Sequence, residues 1–336
     1  RWTAFALPAS LLGRCFIALN AAVSRPRITM WVSLGMLALK APLNAVFMYG
    51  WLGFPAMGGG GAGISFFVLS WLSLFAFLAI WKFDKFYRPM HVEKFVGPRW
   101  ELLKNHLHVG VPMGLSTFFE VSSFTLMAIF ISRLGEETVS AHQIVANLTS
   151  MLYMVPLSLG IASSVLISQS LGARWPAVAE FILRRTLKIS IVIAAVLATL
   201  LYIFKGNVIA LYTSDAGVAA TAAALVAFGC TYHVFDAMQA VSSFALRGYR
   251  VTRAPMFIYG IMLWGVGIGI GYQLAFGAEW AGGPYGAFGF WGATAVGLIL
   301  TGLSLLAMAL WVGRQRSRDE HHSPEEVERV IREARA

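Results

Sequence analysis

Long apolar stretches alternate along the chain with short polar breaks. Runs of about twenty residues with few charges recur near 4–24, 28–49, 62–82, 107–131, 139–165, 179–203, 218–246, 256–276 and 287–312. A helix rising about 1.5 Å per residue needs roughly that length to cross ~30 Å of hydrocarbon, so the pattern predicts nine membrane-spanning helices. Basic residues fall unevenly on the connections. Arg25 and Arg27 occupy the first, and 50–61 has none. Lys82, Lys85, Arg88, Lys94, Arg99 and Lys104 crowd the third, whereas the fourth has Arg133 beside Glu136 and Glu137. Arg174, Arg184, Arg185 and Lys188 flank the fifth, Lys205 and Asp215 the sixth, Arg247, Arg250 and Arg253 the seventh, Glu279 the eighth, and six arginines follow residue 312. The positive-inside rule then predicts that the odd connections and the C-terminus are cytoplasmic.

A weak internal repeat organises these spans. Ser24-Arg25 returns as Thr252-Arg253, and Gly58 and Gly61 return as Gly286 and Gly289, both at an offset of 228 residues. Each basic pair follows a helix, and each glycine pair opens the next helix but one. The pattern predicts a C-terminal six-helix lobe over 105–312, preceded by the last three helices of a comparable lobe over 1–83. About three further helices are expected upstream of Arg1. Residues 84–104, basic and aromatic, read as a cytoplasmic linker lying at the membrane interface. Residues 313–336 read as a cytoplasmic tail, in which Ser323-Pro324-Glu325-Glu326 has the form of an N-cap, a proline at the first helical position and a glutamate at the third, starting a short helix to Ala336.

Composition narrows the class of function. Of 336 residues 58% are hydrophobic and 12% charged, with a mean hydropathy of +0.69; an ordinary soluble domain carries roughly 25% charged residues, so a water-soluble enzyme is excluded. The net charge of +10 is spread over membrane edges instead of gathered in a groove, which speaks against a nucleic-acid partner. Cys15 and Cys230 both lie inside apolar runs, where neither a disulfide nor a metal site is expected. No Walker loop, nucleophile elbow or HExxH motif is present.

The candidate chemistry lies in the ionisable residues inside the spans, because a charge near the bilayer centre costs about 3 kcal/mol on insertion scales and needs a cavity or a partner. Arg14, Lys40, Glu120 and Asp236 are such residues. Arg14 and Lys40 read as snorkelling or cavity cations, with a direct ligand role less favoured. Glu120 shares its helix face with Ser116 and Ser123. Asp236 belongs to a single stripe, Tyr232, Asp236, Gln239 and Ser243, at i, i+4, i+7 and i+11, with His233 on its shoulder. Gln143, Asn147, Ser150 and Met154 repeat that spacing in the helix between, and Tyr153 adjoins the face. Polar stripes can simply hold helices together. The reading preferred here turns all three toward one water-reachable pocket holding two carboxylates, able to bind a proton or Na⁺ with help from Tyr232 or Asn147 oxygens, and able to exchange it for an organic cation. Pro42, with Asn44 beside it, Pro112, Pro156 and Pro255 are expected to break their helices at kinks.

At this point the residues resemble a known family. PMGLSTFFEVSSFTLMAIFISRLGEETVSAHQIVANLTSMLYMVPLSLGIASSVLISQSLGA (112–173) is similar to the seventh and eighth helices of multidrug and toxic compound extrusion (MATE) transporters, NorM-type. YHVFDAMQAVSSFALRGYRVTRAP (232–255) resembles their tenth helix and the loop after it, and APLNAVFMYG (41–50) their fifth. The resemblance implies an all-α polytopic membrane protein with twelve helices in two lobes, of which the fourth to the twelfth are present here. It implies that Glu120 and Asp236 are the paired acids of a cation site and that Tyr232 assists them one turn earlier; the polar residues Gln143, Asn147, Ser150, Gln239, Ser243 and Asn44 are further candidates to line a substrate cavity. The implied activity is exchange of organic cations or drugs for Na⁺ or H⁺, by lobes rocking about a midplane site, in a bacterial inner membrane. No cofactor beyond the coupling ion, no nucleic acid and no partner beyond lipid and cationic or amphipathic substrate is expected, and the state expected is a monomer. A lipid-linked oligosaccharide flippase of the wider superfamily would call for a cationic cavity, and an intramembrane enzyme for a third ligand such as histidine near the cytoplasmic interface.

Overall fold

A computed structural model describes residues 2–88, 97, 99–277, 279, 282–319 and 322–333. Among them there is no β-strand, and nine helical segments are long and apolar enough to span a membrane. The chain forms two compact units, Arg1–Pro98 and Arg99–Ala336. Part of the predicted linker, residues 89–96 and 98, lies outside the described residues, as do 320–321 and 334–336 of the tail.

The first unit is a three-helix assembly of α1 (Trp2–Ala22), α2 (Pro26–Tyr49) and α3 (Gly59–Phe83). Small residues let α1 approach its neighbour closely: Ala6, Ala9 and Gly13 recur at helical spacing on its buried face. Across that contact Ser10 donates to Ser70 at 3.1 Å, the Trp71 indole donates to the Phe5 carbonyl at 3.2 Å, and Phe16 stacks on Phe77. One end of the unit is tied by polar groups. Arg25 pairs with Asp84 at 2.6 Å while its guanidinium lies 4.5 Å from the Phe86 ring, and Tyr87 donates to buried Asn20.

The second unit comprises α4 (Trp100–Ile131), α5 (Glu136–Gly172), α6 (Pro176–Ala210), α7 (Ala216–Gly248), an eighth span, α10 (Gly286–Ser317) and the tail helix α11 (Pro324–Glu333). The eighth span, Arg253–Phe276, consists of α8 (Arg253–Tyr259), a glycine-rich π-helical stretch (Gly260–Ile270) and α9 (Gly271–Phe276). Helix α7 is central, packed by α5, α6 and α10. Its last three turns are buried almost all round, as expected of a helix with no lipid-facing stripe. By contrast α6 shows lipid Val192, Val196, Leu200 and Ile203 along one side.

Helix ends follow local chemistry. Pro26 and Pro176 occupy first-turn positions, where a missing N–H costs nothing. Asp215 caps α7 by accepting from the Val218 N–H at 2.9 Å. Three turns share one closing device: Ser24, Arg174 and Arg250 adopt left-handed φ of 58°, 66° and 61°, and the next N–H in each reaches back five residues, Arg25 to Asn20, Trp175 to Ser170 and Val251 to Leu246, all at 2.8 Å. The predicted tail cap is present: Glu326 N–H donates to Ser323 Oγ while the Glu326 carboxylate accepts from the Ser323 N–H.

Two expectations are corrected. Pro42, Pro112 and Pro156 lie inside unbroken helices, not at breaks, because each costs one ladder bond that a long membrane helix tolerates. Several spans also run well beyond their apolar cores, α5 covering Glu136–Gly172 where 139–165 was predicted. Hydropathy marks only the lipid-matched part of such a helix.

The glycine repeat acquires a structural meaning. A Cβ on Gly61 would strike the Phe47 backbone at the end of α2, and a Cβ on Gly289 would lie 2.8 Å from the Leu274 carbonyl carbon and 2.9 Å from the Ala275 nitrogen at the end of α9. Each glycine thus permits the same close crossing within its own unit. Gly302, whose Cβ would meet the Phe235 carbonyl oxygen at 2.5 Å, does so for α10 on α7.

Gly289→Ala and Gly302→Ala are therefore each expected to cost about 1–3 kcal/mol by overpacking against backbone. Gly114→Ala, with nothing within 4 Å, should be neutral or slightly stabilising. Thermal unfolding midpoints in detergent check the difference; equal midpoints for the three variants would refute the close-crossing reading. A second expectation concerns Asp84, whose carboxyl is held below its ordinary pKa of 3.8 by the Phe86 N–H and then by Arg25. Since the folded value is the lower one, this contribution is complete above pH 3.8 and is lost as pH falls through the depressed value. Hydrogen exchange at the Phe86 amide should accelerate in Asp84→Ala above that window and should match wild type below it.

Candidate functional site

Glu120 on α4 lies eleven residues from the end of its helix and Asp236 on α7 twelve from its own, about 16–18 Å along each axis, which places both carboxyls near the middle of their spans. The two lie within electrostatic range of each other. Asp236 is only 7% exposed; Glu120 is half-buried.

Three elements converge on Glu120. Tyr153 of α5 donates to Oε1 at 2.8 Å, and the Gln239 amide of α7 donates to the same oxygen at 3.0 Å. Gln239 Nε2 also donates to the hydroxyl of Tyr259 in α8 at 2.6 Å, with Ser243 beside that hydroxyl. Tyr153 and Tyr259 are each in electrostatic range of both acids. Gln239 is fully buried, and among the described residues its carbonyl oxygen Oε1 has no hydrogen-bond partner. A buried acceptor left open beside two carboxylates is a ready ligand for a hard cation or for a proton carried by a carboxyl group. On a different side of α4, about 160° around the helix from Glu120, Phe118 and Phe119 pack on Trp264, whose indole donates to Ser122 at 3.0 Å.

Tyr232 is buried one turn before Asp236 but turns toward α10 and α5, stacking on Trp291 at 6.2 Å with Thr149 beside its hydroxyl. Gln143, Asn147 and Ser150 do not join the acids. They are exposed and line a separate open cleft of about 480 Å³ with Tyr212, whose hydroxyl donates to Asn147 at 2.9 Å. The reason is geometric: Tyr153 is six residues beyond Asn147, about 240° around the helix, so the face presenting Tyr153 to Glu120 turns the amide stripe elsewhere. Asn44 is half-buried in the first unit, where Arg14 and Lys40 are exposed. Cys15 and Cys230 are free thiols, and among the described residues no three or more His, Cys, Asp or Glu side chains come together.

Three residues of these sites escaped the sequence reading. Tyr259 is hidden in a uniformly apolar run, and Tyr212 in a connection. Arg247 had a visible signal: one more turn of the Tyr232, Asp236, Gln239, Ser243 stripe ends on it.

The fold and these buried acids define a helical integral membrane protein with a polar site inside its spans. The MatE family profile matches residues 112–273. The chain is 40% identical to the probable multidrug resistance protein NorM of Aromatoleum aromaticum over 299 residues, covering 89% of this chain and 65% of that protein. It is 33% identical to its namesake from Chromobacterium violaceum over 314 residues, covering 93% and 67%. The chain therefore belongs to the MATE family, and it spans about two thirds of the length of the curated relatives it matches. The fold agrees with solved structures: a eukaryotic MATE transporter, AtDTX14, at TM-score 0.81 and 20% identity, covering 95% of this chain and 70% of that one, and Vibrio cholerae VcmN at 0.78 and 14%, covering 95% and 69%.

The hydrogen bonds to Glu120 generate a stability prediction. Gln239→Leu, which strips a fully buried network of its shared donor, should cost about 1–3 kcal/mol, and Tyr153→Phe about 1 kcal/mol. Because both act on one carboxylate oxygen, the double variant should depart from additivity. Unfolding midpoints of wild type and the three variants in detergent give the cycle, and strictly additive losses would show that the two donors do not share Glu120.

Proposed function

We propose that the protein is a secondary active antiporter that exports organic cations and drugs in exchange for Na⁺ or H⁺, and that it is not an enzyme. The observation that carries this reading is the pair of acids, Glu120 and Asp236, within electrostatic range of each other at mid-span, with an unpaired Gln239 oxygen beside them. Carboxylates, a tyrosine hydroxyl and an amide oxygen are hard donors, suited to a proton or to Na⁺ and ill suited to a soft metal. In the proposed cycle either cation neutralises the acids, and a cationic substrate displaces it. The relatives' name as multidrug resistance proteins supports the substrate class.

Glu120 and Asp236 carry the cation, with Tyr153 and Gln239 fixing Glu120 and Tyr232 supporting the Asp236 turn. The open cleft of Gln143, Asn147, Ser150 and Tyr212 is assigned to substrate on its way to or from the acids. We place the protein in a bacterial inner membrane as a monomer, its C-terminus cytoplasmic by the basic residues at 314, 316 and 318. The flippase alternative is disfavoured, since a site built on two acids repels a lipid pyrophosphate.

Glu120→Gln and Asp236→Asn should each lower cation-coupled ethidium efflux from cells expressing the protein at least about tenfold, while leaving its membrane abundance unchanged. Ethidium efflux retained at wild-type rate by both variants would remove the mechanism.

A further inference from the structure

Arg247 stands on the same α7 stripe as Asp236 and Gln239, two turns beyond Gln239 toward the basic end of the helix. Its position is held on two sides. The guanidinium lies 4.4 Å from the Phe244 ring centroid, and Nη2 donates to Thr117 Oγ1 at 3.3 Å. Thr117 is one turn before Glu120 on α4, and its hydroxyl in turn donates to the Met113 carbonyl at 3.2 Å, leaving the oxygen free to accept from arginine. The guanidinium is within electrostatic range of both Glu120 and Tyr259. The charged and titratable groups around Glu120 are therefore Tyr153 from α5, Asp236 from α7, Tyr259 from α8, and Arg247 as their one positive member.

A fixed positive charge one turn from a cation-binding acid has a definite consequence. An arriving Na⁺ or proton meets repulsion from the guanidinium, and a departing one leaves behind an acid that is already partly compensated. Resting on the antiporter reading, we propose that Arg247 is a positioning residue: a tethered counter-charge to Glu120 that weakens the hold of the acid on the coupling cation and so sets the concentration at which that cation leaves toward the basic end of α7. Arginine suits the task because its charge is permanent and its planar group can rest on Phe244 while bonding Thr117.

The test reads cation occupancy of Glu120 without requiring transport. Dicyclohexylcarbodiimide modifies protonated carboxyl groups in apolar surroundings, so labelling of Glu120 in the purified protein, located by peptide mass spectrometry, is titrated with Na⁺ at fixed pH and with pH in the absence of Na⁺. In Arg247→Gln the Na⁺ concentration giving half-protection, or the proton concentration giving half-labelling, should fall about tenfold, the ordinary effect of removing one nearby opposite charge. Arg247→Lys should stay near wild type, and Thr117→Val should shift the same way by less. Unchanged titrations in Arg247→Gln, with wild-type Glu120 responding normally, would overturn this inference alone. A wild-type Glu120 that responds to neither cation would overturn the antiporter reading with it. If Arg247→Gln does not fold, Thr117→Val decides: its titration shifts if the inference is right and matches wild type if it is wrong.

Discussion

An ionisable side chain halfway through a lipid span has no water to fall back on, so its neighbours must supply what water would. That constraint organises the second unit around Glu120. Helix α5 brings Tyr153, α7 brings Gln239, and α8 brings Tyr259 to the far side of the same amide. Two helices thus bond one carboxylate directly, and a third is tied in through the Gln239 amide. The geometry asks α7 to be the shared partner, and α7 is the helix buried nearly all round. Hydrogen bonding between membrane helices is modest pair by pair, but a network with a common acceptor fixes rotation as well as distance.

Rotation matters because close packing leaves α7 little freedom to adjust. A Cβ on Gly160 would lie 3.2 Å from the Ala240 carbonyl oxygen and one on Gly248 2.9 Å from that of Ser164, so both permit the α7–α5 crossing, and Gly302 brings α10 onto Phe235. With those crossings set by glycine, the azimuth of Asp236 and Gln239 is set as well. The glycine-rich π-helical stretch after Tyr259 is the exception to regular packing, and it carries Trp264 onto Phe118, Phe119 and Ser122 of α4. Widened helical turns of this kind recur at functional sites.

Much of this was legible in the residues alone. Lipid demands uninterrupted apolar length, so the spans are visible, and the repeat of Gly61 as Gly289 proves to mark matching close crossings in the two units. Glu120, Asp236 and Gln239 were visible because polar residues are conspicuous in apolar runs. Less could be read where a pattern states that residues share a face without stating what that face meets. The Gln143, Asn147 and Ser150 stripe is real, yet it turns to Tyr212, while Tyr153 on the neighbouring face reaches Glu120. Tyr259 gave no warning, since a tyrosine in an apolar run reads as packing. Arg247 was mistaken for a loop charge because α7 extends further than its hydropathy indicates, to Gly248.

Competition between small and large cations for one acidic site is the central claim, and it is tested most directly by what ethidium displaces when it binds. In weakly buffered detergent solution, with and without Na⁺, ethidium binding to the wild-type protein should release protons or, when Na⁺ is present, Na⁺ in their place. The Glu120→Gln, Asp236→Asn double variant should lose both the release and the binding. Ethidium binding of unchanged affinity in that double variant would contradict the account.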